Sequence, residues 1–179
     1  MKTIYFVRVI VASTFLSCLA CSLFASNQIS YSLEDLGLGR WKAVYEVQNI
    51  NLINPIQEFT LWFDYGLYSN LSIETPSPLN AAWNESIYEP YQLPPLSPFD
   101  GYYDALAFDS GITAGQLTTG FTITFDWLGT GSPSAQRYEV IDPGTFETVA
   151  EGQTVYIPEP GCLLLLLTGA LYLKKRQKN

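Results

Sequence analysis

Histidine is absent from all 179 residues. Its absence removes Ser-His-Asp and Cys-His nucleophile activation, His-ligated zinc, and the side chain that ordinarily titrates near neutral pH. Cysteine is nearly absent as well, since Cys18, Cys21 and Cys162 all lie toward the two ends. A domain between them has neither thiolate nor disulfide, so its stability must come from its core. Positive charge is the third shortage. Between residues 26 and 157 only Arg40, Lys42 and Arg137 oppose sixteen of the seventeen acidic residues, a net charge of −13. Such a domain repels nucleic acid and anionic lipid, leaving neutral polymers and divalent cations as partners. No Gly-rich phosphate loop and no Gly-x-Ser-x-Gly elbow is present, so neither phosphoryl transfer nor hydrolase-type acyl transfer is signalled. The expectation is a protein that is not an enzyme and carries no cofactor.

What the chain does have begins at its ends. Lys2 and Arg8 introduce a largely apolar stretch from Val9 to Phe24, followed by the small residue Ala25. Residues 1–25 read as a secretory signal peptide cleaved after Ala25, with Ala20 as the alternative position. The other end runs Ile157-Pro158-Glu159-Pro160-Gly161, then an apolar stretch from Cys162 to Leu173, then Lys174, Lys175, Arg176 and Lys178. The prolines fix φ and remove backbone donors, so this motif is expected to be extended and accessible. A helix over the apolar stretch is about 20 Å long against a hydrocarbon core of about 30 Å, a short transmembrane segment. The basic cluster acts as a stop-transfer signal.

Pro158-Glu159-Pro160, the apolar run and the basic end together resemble the PEP-CTERM sorting signal of bacterial surface proteins. The resemblance covers roughly residues 158–179 and, with the signal peptide, implies a route rather than an activity. A membrane-embedded exosortase would recognise the tail, remove it and pass the protein outward, after transient anchoring in the membrane. Signal peptidase and exosortase are then the partners in export. The implied location is the cell surface or the exterior, with a structural or adhesive role in an extracellular polysaccharide (biofilm) matrix.

Residues 26–157 are expected to form one exported domain. Ser26–Gly39 is a polar, Leu-spaced lead-in without a clear type. From Arg40 the pattern alternates: Trp41, Ala43, Tyr45 and Val47 on one side, Lys42, Val44, Glu46 and Gln48 on the other, as in a half-buried strand. Phe59, Leu61, Phe63 and Tyr65 repeat this alternation, as do Phe121, Ile123, Phe125 and Trp127. Leu67–Thr75, Tyr102–Phe108, Tyr138–Asp142 and Phe146–Ile157 supply further strands. FTLWFDYG and FTITFDWLG are similar enough to predict two central strands solving the same packing problem. Pro76–Asp100, holding six of the eleven prolines, is expected to be a long loop. With no sustained helical period, the class is all-β, a single β-sandwich of jelly-roll or Ig-like kind.

Three ligand hypotheses follow. Trp83, Tyr88, Tyr91, Tyr102 and Tyr103 could form an aromatic platform for neutral sugars, against the alternative that these rings only cover the sandwich. Asp100, Asp104 and Asp109 are calcium candidates, because oxygen-only ligation suits a chain without histidine, although no EF-hand spacing accompanies them. Asp64, Asp104 and Asp126 are the carboxylates a glycan hydrolase would pair, against the simpler reading of an acidic, solvated face.

Overall fold

The computed structural model describes residues 28–158. The signal-peptide cleavage position Ala25, the rest of the sorting motif (Glu159 and Pro160) and the tail through Lys178 lie outside the described residues. Ten strands follow one another: β1 (Gln28–Gly37), β2 (Arg40–Gln48), β3 (Glu58–Phe63), β4 (Tyr68–Ile73), β5 (Trp83–Tyr88), β6 (Gly101–Ala107), β7 (Leu117–Trp127), β8 (Arg137–Asp142), β9 (Glu147–Gln153) and β10 (Val155–Tyr156). One helical turn, Leu79–Ala82, precedes β5. Among the described residues no helix is long and apolar enough to cross a membrane.

The strands form two five-stranded sheets, ordered β10-β1-β2-β7-β4 and β5-β6-β3-β8-β9. All pairings are antiparallel except that of β1 with β10. The order β1-β2-β7-β4 over β3-β8-β9 is that of an immunoglobulin constant-type sandwich, with the β5–β6 hairpin added beside β3 and β10 added beside β1. Of the two sandwich kinds expected, the strand order matches the Ig-like one.

The alternation read from the sequence sets which side chains meet between the sheets. Phe59, Leu61 and Phe63 of β3 are fully buried, as are Phe121, Ile123 and Phe125 of β7. The two similar segments are therefore interior strands of opposite sheets, facing each other. Phe59 meets Phe121 edge-on at 4.9 Å between ring centroids, and Phe63 lies 6.0 Å from Phe125. Edge-to-face pairs at this spacing add to the large apolar area each ring buries.

Two segments depart from expectation. The lead-in before Gly39 is largely strand: Ile29 and Tyr31 are buried, Leu33 packs against the core, and the strand pairs with β2 along almost its whole length. The proline-rich stretch is not one loop, since Trp83–Tyr88 pairs residue for residue with β6. Its flanking prolines stop the strand without interrupting it.

A buried polar node fixes how the sheets sit. Gln136, just before β8, is 3% exposed. Its Oε1 accepts hydrogen bonds from the Tyr45 hydroxyl of β2 (3.3 Å) and the Thr154 hydroxyl (3.2 Å). Its Nε2 donates to the Tyr68 hydroxyl of β4 (2.9 Å) and to the Ser134 carbonyl (2.6 Å). One side chain thus joins two strands of the first sheet to the segments flanking β8 and β9. Burial pushes the Tyr45 hydroxyl well up and the Tyr68 hydroxyl up, so both stay protonated. Gln136→Ala strands the Tyr45 hydroxyl in the core and is expected to cost about 2–4 kcal/mol, read as a lower denaturant midpoint with an unchanged m-value.

Candidate functional site

The site lies on the outer face of the second sheet. Because directly paired antiparallel residues share a face, the registers line up Tyr88, Tyr102, Trp62, Arg137 and Gln153 in one row across all five strands. At about 4.8 Å between strands the row is about 19 Å long. Tyr88 and Tyr102 are stacked at 4.8 Å, Tyr102 and Trp62 are tilted at 5.7 Å, and the Arg137 guanidinium lies 4.6 Å above the Trp62 ring. Arg137 also pairs with Glu139. Among the described residues β5 is an edge strand, and Tyr88 is 57% exposed.

The β5–β6 connection carries a second aromatic pair, near enough for Tyr91 to act electrostatically on Tyr102, and row and pair together are called the wall. Tyr91 and Phe99 exchange both backbone hydrogen bonds (3.0 and 2.8 Å), and their rings stack at 5.1 Å. Tyr91 is 48% exposed, and Phe99 and Tyr65 are similarly open to solvent. Tyr65 ties the connection to the β3–β4 turn: its backbone N donates to Asp100 (2.9 Å) and its hydroxyl to Gln92 (3.2 Å). Pro90 folds back so closely over Gly101 that a Cβ there would lie 2.5 Å from the proline ring. Glycine is required for that approach. The wall is therefore held in place by its surroundings.

Beside the aromatic row runs a polar one: Ser86, Asp104, Thr60, Glu139 and Glu151. Asp104 accepts a hydrogen bond from the Thr60 hydroxyl at 2.8 Å. Burial nevertheless holds its carboxyl above the ordinary range, and burial followed by the charge of Asp104 does the same to Glu58.

The structure sorts the residues expected to form a platform. Tyr88, Tyr91 and Tyr102 are brought together on the wall. Trp83 (5% exposed) and Tyr103 (fully buried) are not part of it. They occupy the inward phase of β5 and β6, where Trp83 packs edge-on against Phe121 at 5.1 Å and the Tyr103 hydroxyl donates to Glu85 at 2.5 Å. Trp62, Arg137, Tyr65 and Phe99 belong to the wall and were not anticipated. For Trp62 the signal was available, since it holds the outward position in the alternation of FTLWF.

The calcium candidates do not converge. Asp100 serves the Tyr65 turn and Asp104 lies on the sheet face. Asp109 follows the opposite end of β6 from Asp100, and that strand alone is about 20 Å long. Among the described residues no three carboxylate or thiol groups come together to hold a metal ion. The carboxylates considered for hydrolysis are scattered too. Asp104 faces outward from the second sheet, and Asp64 lies in the turn after β3. Asp126 lies on the outer face of the first sheet, where bonds from Asn70 (2.5 Å) and Arg40 (3.1 Å) hold its carboxyl below the usual range.

The raised carboxyl of Asp104 yields a pH-dependent outcome. A folded-state pKa above the unfolded one means ionisation opposes folding above the folded pKa, with no penalty below the unfolded value. Asp104→Asn keeps an acceptor for Thr60 and is expected to raise the Tm at pH 7. The difference should vanish near pH 3, as thermal unfolding at the two pH values will show.

No protein-family model and no curated protein sequence matches the chain. Among solved structures it is similar to the GH20 exo β-N-acetylglucosaminidase of Vibrio harveyi, in complex with N-acetylglucosamine (TM-score 0.35) and as an inactive mutant (TM-score 0.33). Identity is 8% in both, and the match covers 75% of this chain but 18% of the enzyme chain. This chain thus spans under a fifth of that enzyme's length, and no function is drawn from the likeness.

Proposed function

We propose that this chain is an exported surface or extracellular-matrix protein whose sandwich holds uncharged polysaccharide on the aromatic wall of its second sheet. The observation that carries the binding role is the wall itself: Trp62, Tyr102 and Tyr88 adjoin one another in a row, Tyr91 and Phe99 form a second stacked pair next to it, and the outer members are about half exposed. Aromatic rings offer sugars a broad apolar surface with polar edges, at little cost in conformational entropy. The neighbouring polar row supplies hydroxyl and carboxylate acceptors for sugar hydroxyls. Asp104, Glu139 and Glu151 in that row, on a domain of net charge −13, repel acidic polymers and favour neutral ones. Asp64, Asp104 and Asp126, the carboxylates considered for hydrolysis, lie in three different places of the fold, and no hydrolytic role is assigned to them.

The export route rests on the terminal sequences. Signal peptidase would cut after Ala25, and an exosortase would act near Pro158-Glu159-Pro160 after the tail has held the chain in the membrane. The last described residues suit this, since Ile157 and Pro158 are exposed at the end of the fold.

Two measurements on the protein from an exosortase-bearing host test the reading. Intact mass should show loss of the C-terminal segment, abolished by Pro158→Ala/Pro160→Ala; a retained tail in the wild type contradicts the route. Affinity electrophoresis through neutral glucan, mannan, galactomannan and xylan gels should show retardation by at least one polymer. Tyr88→Ala/Tyr91→Ala should weaken it by about tenfold or more, or about 1.4 kcal/mol. Migration unaffected by every polymer, or retardation equal in the variant, removes the wall from the account.

A further inference from the structure

A second cavity lies at the other end of the strands from the wall. The β2–β3 connection (49–57), the segment after β6 and the β8–β9 turn enclose a cleft of about 620 Å³, within the usual range of small-molecule sites. Its rigidity has an identifiable source. Asn49 is fully buried, and its Nδ2 donates to the carbonyls of Asn54 and Ile112, both at 3.0 Å. Its Oδ1 accepts from the backbone N of Leu52 at 3.1 Å, and its own backbone pairs with Gln116 and Gly115. Ile56 and Ile112, both buried, exchange two backbone hydrogen bonds of 2.9 Å. Gly111 (φ +67°) permits that approach, because a Cβ there would lie 2.1 Å from the Ile56 carbonyl oxygen. Connections of this kind are normally among the most mobile parts of a domain. Here every polar atom of a buried asparagine is used to hold one open beside a cleft.

The lining sets the ligand's chemistry. Leu52, Ile53 and Pro55 form one aliphatic wall and Ile141, Pro143 and Val149 the other. Ile53 is 96% exposed at the rim. The polar groups are mainly the uncharged side chains of Asn51, Asn54, Gln57 and Ser110, and among the described residues no cation and no aromatic ring contributes. Asp142 is the one charged member, and its Oδ1 accepts from the backbone N of Gly144 within its own turn. A carboxamide offers one donor side and one acceptor, and is best matched by a partner offering the same. An anionic head would meet Asp142 and a strongly acidic domain.

We infer that this cleft is a second binding site, for a small uncharged ligand with an aliphatic body and an amide head. It is independent of the polysaccharide site and needs none of the residues on the wall.

Hexanamide is the probe, with hexanoate as the charged control, titrated into the isotopically labelled exported protein and followed by backbone amide NMR. With eight heavy atoms, hexanamide should bind saturably with half-occupancy at about 1 mM. Shifts should be confined to residues 49–57, 108–112 and 141–149, and hexanoate should bind at least about tenfold more weakly. Val149→Trp fills the cleft from an exposed position on the β9 edge and should abolish the shifts while leaving the Tm unchanged. Gln57→Leu should narrow the preference for hexanamide over hexanoate. Tyr88→Ala/Tyr91→Ala should bind hexanamide as the wild type does, which separates this site from the wall. Failure to saturate, equal binding of hexanoate, or shifts that persist in Val149→Trp would overturn the inference.

Discussion

The structure depends on two strands of nearly the same sequence meeting across the sandwich. Phe59 and Phe63 of β3 lie against Phe121 and Phe125 of β7, and between residues 26 and 157 no cysteine is present to join the sheets. Stability must then come from buried rings, each removing a large apolar area from water. Tyr68 and Trp83 extend the same edge-to-face packing. Rings alone leave sheets free to slide, because apolar contact is weakly directional. The Gln136 node removes that freedom, since its bonds to Tyr45 and Tyr68 are satisfied in one alignment.

The surface follows from the core. A strand's side chains alternate between two faces, so committing Phe59, Leu61 and Phe63 inward forces Trp62 outward. The same rule sends Tyr103 in and Tyr102 out on β6, and Trp83 in and Tyr88 out on β5. Register then does what no single strand can, placing Tyr88, Tyr102, Trp62 and Arg137 side by side from four separate strands. The wall is thus a consequence of core phase and strand order together.

This explains what was legible in the sequence. β2, β3 and β7 could be read directly, because each alternates cleanly and ends at turn residues. The likeness of FTLWF to FTITF correctly indicated interior strands. β1 was obscured by Leu36 and Leu38, which blur a period of two, although Ile29, Tyr31 and Leu33 carry it. β5 was hidden among prolines that border it without entering it. Composition singled out the aromatics of residues 83–103, but it could not distinguish Trp83 and Tyr103 from Tyr88 and Tyr102, because the two sets differ only in phase. Trp62 and Arg137 come from β3 and β8, so only long-range pairing joins them to the wall. The calcium candidates illustrate the converse: Asp100, Asp104 and Asp109 are near in sequence and separated by the length of an extended strand.

The central claim is that glycan contacts the outer ring row and not the rings of the core, and Trp62 is the tryptophan able to report it. The direct measurement is tryptophan fluorescence during titration with a polysaccharide that retards the protein, comparing wild type, Trp62→Phe and Trp83→Phe. The account predicts a saturable change in wild type that persists in Trp83→Phe and disappears in Trp62→Phe. A change that survives in Trp62→Phe and is lost in Trp83→Phe would contradict it, because the ligand would then be reaching the interior.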